Sequence, residues 1–128
     1  MQIIRNAITF VFMILLVPAV LYAVSGLPDR ALKVEHTLQE YTTETGAQTA
    51  IDIHPMADVT FAVDVGASDD VDVEVNLVEG GTYYKAVENI TADYLDTLEG
   101  PIRNIRINIV TNTSNDIKFD VLSVYGGR

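Results

Sequence analysis

A chain of 128 residues, 48% hydrophobic, with 18 acidic against 8 basic residues and no cysteine, has room for one domain. It excludes a disulfide framework, a thiolate metal site and a cysteine nucleophile, and its net charge of −10 opposes a phosphate-backbone binder, which needs clustered Lys and Arg. The charge is unevenly spread. Residues 1–43 balance Arg5, Arg30 and Lys33 against Asp29, Glu35 and Glu40, whereas Glu44–Glu99 holds 13 acids and one base, Lys85.

In chain order, the first element is the uncharged run Ile8–Val24, which includes Ile8, Phe10, Val11, Phe12, Met13, Ile14, Leu15, Leu16, Val17, Val20, Leu21 and Tyr22. As a helix its 17 residues span about 26 Å at 1.5 Å per residue, just short of a hydrocarbon core of about 30 Å. Pro18 disrupts a soluble helix but is tolerated as a kink in a membrane helix, and Tyr22 suits the interface. The run predicts one N-terminal transmembrane α-helix. A second reading is a secretory leader, with Arg5 as its basic start and Ala23-Val24-Ser25 before Gly26 as the cleavage site. Basic residues flank the run on both sides, so the positive-inside rule does not orient it.

Beyond Gly26-Leu27-Pro28 the pattern turns to period two. Residues 29–43 fit a helix through Ala31, Val34, Leu38 and Tyr41, or a first strand through Leu32, Val34, His36 and Leu38; Tyr41-Thr42-Thr43 favours the strand. Ala50–Ile53 reads as a short strand. Val59, Phe61, Val63 and Val65 then alternate with polar or small residues, as do Val71, Val73, Val75 and Leu77. Tyr83–Val87 and, more weakly, Ile90–Leu95 follow. Ile105, Ile107 and Ile109 alternate next, and finally Ile117, Phe119 and Val121. Each alternation predicts a strand with one buried face. Turn formers separate them at His54-Pro55, Gly66–Asp70, Glu79-Gly80-Gly81, Glu99-Gly100-Pro101 and Asn112–Asp116. The expected fold is all-β, an antiparallel β-sandwich or jelly-roll-like domain behind one membrane helix. The divisions are an anchor at 1–27, a linker or first strand at 28–43 and an acidic β-sandwich at 44–128.

Candidate chemistry is sparse. His36 and His54 stand apart, outside zinc-ligand spacing. None of the four serines lies in a G-x-S-x-G elbow, and no glycine-rich phosphate loop is present. No catalytic residue and no cofactor is expected. Asp64, Asp69, Asp70 and Asp72 form the one plausible calcium set, because a loop at Gly66–Asp70 offers carbonyls beside carboxylates. The default role for Asp72, as for Glu74, is a solvated strand face, since both alternate with valines. Tyr83 and Tyr84, one expected inward and one outward, are candidate partner contacts. So are Arg103, Arg106 and Lys118 of the slightly basic C-terminal stretch, which suit an acidic surface.

The succession Thr45-Gly46, Thr60-Phe61-Ala62-Val63, Val73-Glu74-Val75, Gly80-Gly81-Thr82-Tyr83-Tyr84, Ile105-Arg106-Ile107-Asn108 and Ile117-Lys118-Phe119-Asp120-Val121 resembles small β-sandwich modules of phage and virus structural proteins. The resemblance spans about residues 42–124 and rests on short β motifs; the hydrophobic N-terminal run departs from most such modules. It implies a non-enzymatic virion protein, here in a membrane-containing virus or at a cell envelope with the β domain facing outward. The expected partners are a lipid membrane and other structural proteins (capsid, spike or copies of the same chain), and no nucleic acid. The alternative is a secreted or cell-surface binding module with its leader removed.

Overall fold

The structure, a computed structural model, describes residues 31–126. The Ile8–Val24 run, with Phe10 to Tyr22 inside it and the helix expected there, lies outside the described residues. Among the described residues no helix is long and apolar enough to cross a membrane.

The described residues form nine strands: β1 (Leu32–Tyr41), β2 (Gly46–Ala47), β3 (Ile51–Asp52), β4 (Asp58–Asp64), β5 (Asp70–Asn76), β6 (Tyr84–Ile90), β7 (Tyr94–Leu98), β8 (Asn104–Thr111) and β9 (Ile117–Gly126). One sheet has the order β1-β9-β4-β7. The other runs β2-β8-β5-β6, with β3 also on β8. Because β2 meets Asn108 and Ile109 while β3 meets Asn104 and Ile105, the two short pieces act as one interrupted strand along β8. Apart from that piece, only the β5–β6 hairpin joins consecutive strands within a sheet; the other connections cross between sheets. This is the two-sheet order of a jelly roll. Within the ambiguous 29–43 stretch, Leu32–Tyr41 takes the strand alternative, as β1.

The core lies between the sheets. Val59, Phe61 and Val63 of β4 and Ile117, Phe119 and Val121 of β9 face Val71 and Val73 of β5 and Ile105, Ile107 and Ile109 of β8, all buried. Burying each such side chain contributes roughly 1.5–3 kcal/mol. The rings of Phe61 and Phe119 meet at 6.2 Å between centroids, inclined by 57°. These are the residues whose alternation marked them for burial.

The pattern fails where a strand stops. Leu77, expected in the row with Val75, is 59% exposed because β5 ends at Asn76 and the chain turns toward Gly80, which has φ +73°. Asp72 fails in the opposite sense: expected on a solvated face, it is 3% exposed. The β5–β6 ladder shifts register between Val71 and Val73 and again between Val73 and Glu74. Beside this irregularity, Asn89 adopts φ +56° and donates its backbone N–H to Asp72 at 2.9 Å.

Candidate interaction surfaces

Asp69 pins two loops together. Its carboxylate accepts hydrogen bonds from the backbone N–H of Gly66 (2.7 Å), Thr113 (2.7 Å) and Ser114 (3.0 Å), and from the hydroxyls of Ser114 (2.6 Å) and Thr113 (3.2 Å). Burial alone pushes its pKa up. The Ser114 hydroxyl and the three amides outweigh that effect and hold the carboxyl well below the ordinary carboxylate range. The packing leaves no room at Gly66, where a Cβ would lie 2.4 Å from that of Ser114.

The other three acids of the calcium candidate go elsewhere. Asp72 takes the Asn89 amide and, at 3.2 Å, the Lys85 ammonium, which raises the Lys85 pKa. Asp64 lies on the other sheet against Asp93, whose hydrogen-bonded and like-charged carboxyl raises the Asp64 pKa. Asp70 has a buried Oδ1 without a hydrogen-bond partner. Successive strand residues point to opposite faces, so acids close in sequence are dispersed in space. Among the described residues no three His, Cys, Asp or Glu side chains are grouped to hold a metal ion.

The outer face of the β2-β8-β5-β6 sheet carries cations paired within the chain. Arg106 bonds Glu74 at 2.8 Å from its Nε while its guanidinium lies 3.6 Å over the Tyr83 ring. Arg103 reaches Glu79 at 3.2 Å and Asp52 at 3.8 Å. Asn104 beside it donates to Asp52 at 2.6 Å. Across the molecule Lys118 lies 3.7 Å from Asp116. The three cations expected to meet an acidic partner are therefore each engaged with carboxylates of their own chain. Neither tyrosine enters the core: Tyr83 lies under Arg106, and Tyr84 on edge strand β6 is exposed.

The outer face of the β1-β9-β4-β7 sheet is different. Leu38, Ala62, Leu95 and Leu122 lie along two shallow grooves of about 520 and 300 Å³. Leu95 is 71% exposed, and on β1 Leu32 and Val34 are 65% and 60% exposed. Polar pairs punctuate the surface: His36 with Asp120, Thr60 with Thr97 at 3.0 Å, and Asp64 with Asp93. The remaining histidine, His54, stacks on Tyr125 at 3.9 Å and accepts the Met56 N–H at Nδ1. An apolar surface punctuated by hydrogen-bonding pairs suits contact with another macromolecule. Sequence reasoning missed this face although its signal was present: the alternation of Leu32, Val34, His36 and Leu38 marks an apolar side, which here points away from the core.

No protein-family model matches this sequence, and no curated protein does. Several solved structures are similar in fold. The SPBc2 prophage-derived protein YomS shares 10% identity at TM-score 0.51, over 73% of this chain and 96% of that one. A Bacillus endospore appendage protein, from a family of disulfide-linked pili, shares 14% at TM-score 0.48, over 75% and 88%. The cyanophage Pam1 capsid shares 21% at TM-score 0.39, over 74% and 84%. Oxalate oxidases also match, at lower TM-scores than YomS. The likeness to YomS shows the fold alone.

Proposed function

We propose that this protein is a non-enzymatic, membrane-anchored structural protein, in which the Ile8–Val24 run sits in a bilayer and the jelly-roll head projects outward. The head links that membrane to a capsid, a spike or further copies of itself, in a membrane-containing virion or at a cell envelope. The observation that carries the reading is the uncharged apolar run, joined by only seven residues, Ser25–Ala31, to β1. The exposed leucines of the β1-β9-β4-β7 sheet support it by offering a surface for a protein neighbour. The acidic head resists adsorption to anionic headgroups, so the anchor alone supplies the membrane attachment.

The small-residue sequence Ala23-Val24-Ser25 before Gly26 favours a second reading, a secreted binding module with a cleaved leader. N-terminal sequencing of the mature protein separates the two. The anchor reading expects residues upstream of Ile8 to be retained and the protein to leave membranes only with detergent. A mature start at Gly26 overturns it in favour of secretion.

A further inference from the structure

We infer that β1 is a self-association strand, pairing antiparallel with β1 of a second copy so that two four-stranded sheets become one of eight strands. Three of the sheet edges are protected against such pairing. Strand β7 has five residues. The β5–β6 ladder is irregular, and β6 carries Lys85 and Glu88. Strands β2 and β3 have two residues each. Short, bulged, charged or broken edges are the usual defences of a β-sheet. Strand β1 carries Lys33, Glu35 and Glu40, yet it is neither short nor broken. It runs for ten residues without Gly or Pro, ends its sheet next to β9, and among the described residues has a strand partner on one side only. Its residues Leu32–His36 are exposed on both faces, including the large apolar side chains of Leu32 and Val34.

The occupant follows from the strand's own side chains. A two-fold axis normal to the sheet keeps outer face on outer face, so facing residues must have the same parity. Leu32, Val34, His36 and Leu38 point outward, while Tyr41 reaches the core. Centring the axis on His36 pairs Leu32–Glu40 of both copies. It sets Val34 opposite Leu38 twice and Lys33 opposite Gln39, with Leu32 against Glu40 at the ends. Shifting the axis to Glu35 opposes two glutamates; shifting it to Thr37 leaves no apolar pair; shifting it to Val34 pairs only Leu32–His36. Apolar pairs stabilise and like charges directly opposite destabilise, so the His36-centred register, which keeps two apolar pairs over the longest ladder without opposing glutamates, is the one the inference commits to. This inference does not rest on the anchor.

The test uses the full chain in detergent. Sedimentation should show a dimer that V34K/L38K converts to monomer, with the far-ultraviolet spectrum unchanged because both sites are solvent-exposed in the single chain, and with a melting temperature that no longer depends on protein concentration. The chain has no native cysteine, so V34C/L38C should form covalent dimers on oxidation while V34C or L38C alone should not. Within one strand those positions are roughly 13 Å apart, beyond the ~7 Å limit of a disulfide. A monomeric wild type, whether or not upstream residues of the same chain cover the edge, overturns the inference. So does a dimer that survives V34K/L38K, or equal cross-linking by the single variants. Vesicle association of V34K/L38K reads the anchor separately, since its loss or retention does not depend on pairing.

Discussion

The two outer faces of this sandwich come from the same alternating strands and reach opposite ends. On the β2-β8-β5-β6 sheet the cations are paired with acids of the same chain: Arg106 with Glu74, Lys85 with Asp72, and Arg103 with Glu79 and Asp52. On the β1-β9-β4-β7 sheet leucines stand in the open, and Asp64 lies against the like-charged Asp93, an effect that Lys118 opposite it on β9 offsets only in part. Charge satisfied within the chain gives stability and a finished surface. Apolar area left exposed contributes nothing to the isolated head, and it is the part available to a neighbour.

That contrast is open to measurement, beginning with the acids. Asp69, immediately before β5, is the most deeply committed. Asp69→Asn should cost roughly 3 kcal/mol at neutral pH, because five donors aim at its carboxylate and bonds to a charged group are worth about 1.5–3 kcal/mol before non-additivity. The folded pKa is depressed, so this contribution is complete above the unfolded value of about 4 and is lost as pH falls toward the folded one. Denaturant titrations at pH 7 and in strong acid should show the gap between wild type and D69N closing at the acid end. An undiminished gap would mean that the carboxylate is not the stabilising form.

Asp72→Ala comes next, with an expected loss of about 1–2 kcal/mol from the orphaned Asn89 amide, read as a lowered urea midpoint. Asp64 should behave with the opposite sign. Its folded pKa is raised, so the folded state binds the extra proton and stability falls as pH rises through the carboxylate range. Asp64→Asn should therefore melt slightly higher than wild type at neutral pH and no higher in mild acid. A lower melting point at both would contradict the repulsive pair. Smallest of all, L95A and L122A should each change stability by less than about 0.5 kcal/mol, although leucines in a packed core cost far more. A large loss would show that this face is covered in the isolated head.

Much of this architecture was legible before any coordinates. Phe61, Ile107 and Phe119 sit in strict alternations between turn formers, and period two with β-branched residues is a local property of the chain. The two-residue β2 lies below the length at which alternation exists. Leu77 misled because the pattern continues one residue past the strand. The fates of Arg103, Arg106, Lys118 and Asp72 depended on cross-strand register, which brings Glu74 beside Arg106 and Asn89 beside Asp72. Hydropathy along the chain does not encode that register. The outward apolar face was readable from β1 but not assignable, since alternation says that one side is apolar without saying where that side points.

The central claim, a jelly-roll head held to lipid by Ile8–Val24, is tested most directly by vesicle flotation. The intact chain and a chain beginning at Gly26 are each mixed with detergent-solubilised neutral lipid, the detergent is removed, and the samples are centrifuged through a density gradient at high salt. The account predicts that the intact chain rises with the vesicles while the shorter one stays at the bottom. An intact chain that remains monodisperse at the bottom with its leader still attached would contradict it.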